Sequence, residues 1–571
     1  MRANTPTEPF NWRDAAWILL WIGLLIATGY GLRDPWPADE PRFASLARDM
    51  VTSGDWIIPR VGGDLYQDKP PLYFWLMALS YALLGSVRAS FLLPSLLASA
   101  ATALLVYDLG RRLAGREAGL FAALLLVSSL HFVLTMRGAQ IDPTLLMLST
   151  LALWGLIRHF LLGPNWGAYF VGGLAAGLGV ITKGVGFLPL LLIPLYFGLR
   201  AAGFTGLARF ESAGYRWWLA PAGFVLGVSV WLAPMLVAVQ TAASPELIAY
   251  RDEILFKQTV QRYAASWHHV KAWYYFLVEV IPPLWLPLSA LLFWLVPRWW
   301  RELRARVGST ALLLGWVILV LLFFSASPGK RGIYILPALP AVCIAAAAAL
   351  PELLRRRSIG RLSLILAALL VVPGVIAAMA AASGEARLVE TLTSGGIESF
   401  VPLYVFAAVA SALWFVAARW RPVLAWPMVL ACVTTVWGLM IAPQMNPVRT
   451  TSAFMAQVLR QVPADRQLGL VAYKEQFLLH IDRESWNFGH RRWLEGEAES
   501  FDAARWLAES PARMLLVPQS QVAPCFESAD RVLAGFASRE NWWLVSAAPA
   551  ADCVRAGQVG RVIYYPAHEI N

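Results

Sequence analysis

The chain has 571 residues, 58% of them hydrophobic and 15% charged, where an ordinary soluble domain carries about 25% charged residues. Apolar runs of about 20 residues recur as far as Met440, which excludes a soluble globular protein and predicts a polytopic α-helical membrane protein. The formal net charge of +11 resides largely in arginines between those runs, an orientation signal rather than a nucleic-acid footprint, and no nucleic-acid-binding motif accompanies it.

The first apolar run, 15–31, follows Arg2 and Arg13 and has no convincing small-residue cleavage site after it, so it reads as an uncleaved first helix with a cytoplasmic N-terminus. Next comes the most polar stretch of the N-terminal half, 33–84. It holds an acidic pair (Asp39, Glu40), bases (Arg42, Arg48, Arg60, Lys69) and further acids (Asp64, Asp68). Its second part, 70–85, is ambiguous. Read as a span, it would leave Arg111, Arg112, Arg116 and most later arginine loops on the wrong side. Read as a surface helix, with a double-proline start and modest apolar length, it makes every cytoplasmic loop basic. The spans then run 14–32, 88–110, 115–135, 142–162, 166–182, 184–200, 217–241, 272–297, 309–326, 332–351, 361–381, 400–418 and 422–441, about thirteen in all.

That topology leaves a few bases on the outer face. They are Arg42, Arg48, Arg60 and Lys69, then Arg137, Lys183, the group Arg251, Lys257, Arg262 and Lys271, and finally Lys330 with Arg331. An anionic ligand at the outer leaflet accounts for this placement, since Lys and Arg bind phosphate by charge and hydrogen bonding; helix-end residues snorkelling to headgroups are the competing explanation. In the second outer loop, Ser244-Pro245-Glu246 has the form of a helix start.

After Met440 the composition changes. PQMNP reads as a linker. Beyond it, TTSAFMAQVLRQV and ESFDAARWLAE suit amphipathic helices, and LGLVAY, MLLVP, WWLVS and VIYYP suit short buried strands. The expected organisation is a membrane domain over 1–441 with surface-helix loops at 33–87 and 242–271, and a soluble α/β domain over 442–571. An odd number of spans places the latter outside the cytoplasm. Its two cysteines, Cys525 and Cys553, are compatible with a disulfide in an oxidising periplasm, although sequence supplies no geometry; Cys343 and Cys432 fall within spans.

Several segments, in order, resemble one family: ADEPRFASLARDMVTSGDWIIPR, YQDKPPLYFWL, RGAQIDP, ITKG, QRYAASWHHVKAWYYF and GKRGIYILP. They are similar to the GT-C membrane glycosyltransferases, in particular the bacterial aminoarabinose transferases that modify lipid A and their relatives the protein O-mannosyltransferases. The resemblance implies an all-α GT-C membrane domain with a C-terminal periplasmic α/β domain. It makes Asp39 the leading catalytic carboxylate and Asp142 the second functional acid. Arg42, Lys69, Lys183, Arg262, Lys330 and Tyr334 would surround the donor phosphate or substrate, with Glu40 and Asp68 in support. Relatives often carry Glu where Asp68 stands. No cofactor is required; Asp68 and His268 are the candidates for a structural divalent metal. Helix capping is the ordinary alternative for these acids: Asp39 and Glu40 ahead of a helix near Pro41, Asp142 ahead of Pro143.

The chemistry fits the residues. Transfer from a polyprenyl phosphate leaves a phosphate whose developing charge outer-face Lys and Arg can stabilise, while a carboxylate orients or deprotonates the incoming hydroxyl. The expected activity is inverting transfer of a sugar, 4-amino-4-deoxy-L-arabinose, from undecaprenyl phosphate to lipid A, by a monomer in the bacterial inner membrane with its site facing the periplasm. A protein hydroxyl or another envelope glycan is the alternative acceptor. A flippase or transporter would place its charges mid-membrane, often beside repeated interrupted helices, and that pattern is not found.

Overall fold

Among the described residues, nine helices are long and apolar enough to cross a membrane, or eleven if each of two bent pairs is one span. The computed structural model describes residues 9–210, 214–255, 270–557 and 561–567. The bent pairs are Arg116–Val127 with Leu130–Met136, and Phe276–Leu284 with Leu288–Arg304. Each occupies one expected span. The expected spans at 14–32 and 166–182 are shorter helices: Trp12–Ile22 running into a π turn over Gly23–Ala27, and Trp166–Val180. The ambiguous stretch forms Leu72–Leu84, thirteen residues or about 20 Å of helix, too short for a hydrocarbon core of about 30 Å.

The chain divides into two units, each described separately. The first comprises Met1–Leu32, Asp68–Tyr73 and Leu92–Pro443, and holds nearly all the long apolar helices. Where helices break within it, side chains and neighbouring backbone satisfy the freed polar groups, as a membrane interior demands. Arg137 donates to the carbonyls of Leu25 and Thr28 and to the Thr28 hydroxyl, which gives this base a structural role. Gly438 permits the same junction. A Cβ there would lie 2.2 Å from the Thr28 carbonyl oxygen.

The second unit comprises Arg33–Gln67, Phe74–Phe91 and Gln444–Asn571. Its centre is a six-stranded sheet in the order Asp530–Ala537, Glu540–Ala547, Arg513–Pro518, Gln467–Leu470, Ser485–Asn487, Ile563–Tyr565. Gln467–Leu470 pairs parallel with both of its neighbours and the outer pairings are antiparallel. Four strands lie where the sequence puts them; Ser485–Asn487 and Asp530–Ala537 were not anticipated. The two expected amphipathic helices are Ser452–Gln461 and Ala498–Ala508. Cys525 and Cys553 form a disulfide, and Cys343 and Cys432 are buried free thiols.

PQMNP is helical, and the boundary between the two units falls within it, after Pro443. It lies in the helix Ala442–Arg449, which follows the π turn Trp437–Ile441. Asn446 orders the segment by accepting from the Asp34 backbone N–H and the Trp36 indole (both 3.0 Å) and donating to the Asp34 carboxylate at 2.7 Å. The helix Pro245–Asp252 starts as expected with proline in its first turn, although the Ser244 hydroxyl makes no cap bond.

Candidate functional site

The acidic pair opens the helix Asp39–Ser53, whose N-cap position is Ala38, so the helix begins two residues before Pro41 and neither acid is its cap. The two carboxylates have different tasks. Glu40 accepts from the Arg33 guanidinium at 2.8 Å and from the Trp36 backbone N–H at 2.8 Å, which fixes the turn ahead of the helix. Asp39 is 36% exposed and meets Arg42 Nη1 at 3.5 Å across one turn. It is the accessible acid of the pair.

Arg42 connects Asp39 to an interior cluster. Its Nε donates to Glu475 Oε1 at 2.8 Å, and His490 Nε2 lies 3.0 Å from the same oxygen. These three side chains keep only 11%, 12% and 8% of their exposure. The His490 backbone N–H in turn donates to Asp64 Oδ2 at 2.8 Å. Burial works against both charges, yet the His490 hydrogen bond and the Arg42 charge hold the Glu475 carboxyl well below the usual range, while Glu475, Tyr66 and Asp39 raise the Arg42 guanidinium. Sequence reasoning missed Glu475 and His490. They lie more than 430 residues from Arg42, in a region that showed only strand and helix patterns.

Arg48, another base of the opening stretch, is structural. It is 2% exposed and donates from Nη2 to the Leu478 carbonyl at 2.6 Å and to the Tyr565 hydroxyl at 2.8 Å. Its neighbour Asp49 accepts from Tyr565 Oη and the Gly62 N–H, and burial pushes its carboxyl up to about 6. The hairpin Arg60–Val61 to Asp64–Leu65 turns through Gly62 and Gly63, both at positive φ, as a two-residue turn requires. A Cβ on Gly62 would lie 2.6 Å from the Tyr473 hydroxyl.

The first unit holds a second constellation. Asp142 is in the first turn of Ile141–Leu162, one residue inside the helix whose N-cap is Gln140, so it is not the N-cap itself. Its Oδ1 accepts from Lys183 Nζ at 2.8 Å, and that ammonium lies 4.9 Å from the centre of the Tyr334 ring. The ion pair is four-fifths buried on both sides, and it borders a small crevice completed by Leu145, Val185, Phe324 and Ile333. Lys69 is half-buried just ahead of Leu72, whose N–H donates to the Ile181 carbonyl at 3.2 Å; the DKPP turn is thereby pinned to the ITKG segment that carries Lys183.

Lys330 is tucked away from solvent, donating to the carbonyls of Ser327 and Lys271, and burial lowers its ammonium below the ordinary lysine value. Arg262 and His268 lie outside the described residues. Asp68 is half-buried, and among the described residues no three His, Cys, Asp or Glu side chains gather as metal ligands do.

A carboxylate beside an arginine and a lysine held by a carboxylate against an aromatic ring are the parts that phosphate-leaving group transfer uses. Residues 68–203, which contain Lys69, Asp142 and Lys183, match the family described as dolichyl-phosphate-mannose-protein mannosyltransferase. The fold is that of the GT-C membrane glycosyltransferases. It superposes with a TM-score of 0.70 on ArnT from Cupriavidus metallidurans bound to undecaprenyl phosphate, at 20% identity over 93% of this chain and 98% of that one. The apo form of that protein gives 0.66, at 18% identity over 96% and 100%.

The chain belongs to the undecaprenyl phosphate-alpha-4-amino-4-deoxy-L-arabinose arabinosyl transferase family. It is 30% identical over 478 residues to the member from Pseudomonas aeruginosa strain UCBPP-PA14, covering 80% of this chain and 81% of that protein. The match to the Pseudomonas savastanoi pv. phaseolicola member, also 30% identical, runs over 350 residues, 60% of this chain and 62% of that protein. The chain thus spans less than two thirds of that relative, and 52% of a Pseudomonas fluorescens one.

Proposed function

We propose that this protein transfers 4-amino-4-deoxy-L-arabinose from undecaprenyl phosphate to lipid A, inverting the anomeric centre by a single displacement. The observation that carries this reading is the Asp142–Lys183–Tyr334 constellation, whose ion pair falls within the segment matching the dolichyl-phosphate-mannose-protein mannosyltransferase family. A phosphate approaching Lys183 finds a cation already oriented by Asp142, and the charge that develops as the C–O bond breaks falls on that ammonium. Lys69, in the DKPP turn pinned to the same segment, is the second phosphate cation. Asp39, exposed and steered by Arg42, orients the acceptor; against a phosphate acceptor it assists electrostatically, and against a hydroxyl it takes the proton.

The two shorter apolar helices, 12–27 and 166–180, bring the eleven apolar crossings to thirteen. On that reading, with arginine-rich loops inside, the C-terminal α/β region and the reacting groups face the periplasm from a bacterial inner membrane. The protein works as a monomer with lipid-linked donor and lipid acceptor, and no cofactor enters the displacement.

The test is mass spectrometry of lipid A and of envelope glycoproteins from cells lacking the protein, and from cells complemented with the wild type or Asp142→Asn. Loss of the aminoarabinose-modified lipid A, restored by the wild type alone, is expected. Intact modified lipid A with loss of a protein-linked hexose would favour the second reading, O-mannosyl transfer, to which the description of the family matching residues 68–203 points.

A further inference from the structure

Ala472 adopts a left-handed backbone, φ 47°, in which its Cβ crowds the following carbonyl. It follows the central strand Gln467–Leu470, whose ladder ends one residue earlier, where the Val471 N–H donates to the Leu516 carbonyl at 3.0 Å. The Ala472 N–H therefore leaves the sheet, and with the residue 3% exposed it needs a partner inside the protein. That partner is a side chain 27 residues on: Glu499 Oε1 accepts from it at 2.7 Å. Glu499 stands in the first turn of Ala498–Ala508 and is 0% exposed. The helix is a fixed support, since its Ala503, Ala504, Trp506 and Leu507 are buried in the same core as Ala472.

The residues after Ala472 point at different partners. The Tyr473 hydroxyl donates to the Val61 carbonyl at 3.3 Å, the Lys474 ammonium lies 4.9 Å from the centre of the Trp493 ring, and Glu475 accepts from Arg42 at 2.8 Å. Only Tyr473 and Lys474 separate the strained residue from Glu475. Relaxation of Ala472 to an ordinary negative φ would rotate the chain that follows and swing Glu475 off Arg42. An unfavourable backbone conformation persists only where its surroundings hold it, and the hydrogen bond that holds this one comes from Glu499. Filling the space needs no carboxyl; an apolar side chain would do so without a polar group to satisfy.

We propose that Glu499 is a positioning residue for the Asp39–Arg42 pair, acting through the left-handed turn at Ala472 that aims Glu475 at Arg42. The role rests on the reading of Asp39 and Arg42 as the groups that orient the acceptor. Glu475 supplies the contact with Arg42, and Glu499 sets where Glu475 stands. Without the Glu499 oxygen the Ala472 N–H is left unsatisfied, the turn relaxes, and Arg42 loses the carboxylate that fixes it beside Asp39. The donor-phosphate pair, Asp142 and Lys183, belongs to the first unit and makes no use of this turn.

The experiment is steady-state kinetics of the full-length protein in proteoliposomes, with lipid A varied at saturating undecaprenyl-phosphate aminoarabinose and then the reverse. Glu499→Leu is expected to lower kcat/KM for lipid A about tenfold with the donor KM within about twofold, the scale of one buried N–H left without its acceptor. Glu499→Gln, which keeps a carbonyl oxygen at the same reach, recovers most of that loss. Ala472→Gly added to Glu499→Leu recovers it too, because glycine holds a positive φ without a clamp. A wild-type kcat/KM for lipid A in Glu499→Leu overturns the proposal, as does a failure of glycine to rescue it. Equal impairment of the Leu and Gln variants, or a parallel rise in the donor KM, also overturns it, since either marks general damage to the fold. If Glu499→Leu yields no folded protein, Glu499→Asp decides: its side chain is one methylene shorter, which parts the oxygen from the Ala472 N–H, and an unchanged kcat/KM there overturns the role. Asp39→Asn separates the two readings: wild-type kinetics in that variant would remove the acceptor-orienting site itself, whereas a damaged Asp39→Asn beside a normal Glu499→Leu would remove only the role of Glu499.

Discussion

Glutamine at position 475 would leave the shape of the Arg42 contact and remove its charge. Arg42 Nε meets Glu475 at 2.8 Å with about a tenth of each side chain exposed, and its remaining carboxylate, Asp39, is 3.5 Å away and considerably more exposed. Removing one partner of a fully buried pair costs about 3–5 kcal/mol, because the other charge is left uncompensated. Residual exposure and the Asp39 contact reduce this, so Glu475→Gln should destabilise the second unit by about 2–3 kcal/mol. Native-state hydrogen exchange reads that locally: amide protection in Gln467–Leu470 and Glu475–Leu478 should fall about 30- to 150-fold. Arg42→Gln should lose a similar amount, and the double variant should show a coupling energy of at least about 1.5 kcal/mol. Because the same pair aims Arg42 at Asp39, sugar transfer should fall about tenfold or more in either single variant. Unchanged protection in Glu475→Gln, or strictly additive losses in the cycle, would refute the view that this ion pair holds Arg42 in place.

Glu499 is fully buried, its Oε1 accepting from the Ala472 N–H at 2.7 Å, and burial pushes its carboxyl from an ordinary 4.5 up to about 7. Its stabilising contribution, about 3 kcal/mol from that difference, is present in full below the ordinary value and is lost as pH rises through about 7. Between pH 5 and 8 the apparent melting temperature of the wild type should therefore fall relative to Glu499→Gln, and parallel profiles would contradict this. Arg48→Ala strips the Leu478 carbonyl and the Tyr565 hydroxyl of their donor and should cost about 3 kcal/mol, visible as lost hydrogen-exchange protection in Ile563–Tyr565. Gly438→Ala drives a Cβ into the Thr28 backbone and should destabilise by about 1–3 kcal/mol, so an unchanged melting temperature would mean the junction can open.

The helices were legible because a membrane imposes one rule on every crossing: the backbone must satisfy itself, so apolar length alone marks a span. The bends were not legible. The first break falls at Ser128–Ser129, with no proline or glycine between Leu120 and Met136, and its stability comes from Trp426, Trp285 and Leu286, partners that no local pattern names. PQMNP, where the units divide, is a helix rather than irregular chain despite its two prolines: Pro443 enters after a π turn and Asn446 is tied by three hydrogen bonds. Tertiary contacts there outweigh a local preference.

The ADEPR motif shows the same limit for chemistry. Its residues were readable as a set, since charge concentrated in so apolar a chain needs a reason, but their division of labour was not. Glu40 beside Asp39 serves the turn, and Arg48 and Asp49 hold the last strand through Tyr565, while Arg42 is oriented by Glu475 and His490. Spacing along a helix says which residues share a face. It does not say which of them meets a partner more than 400 residues away, and in this unit that partner separates a residue proposed for the site from a structural one.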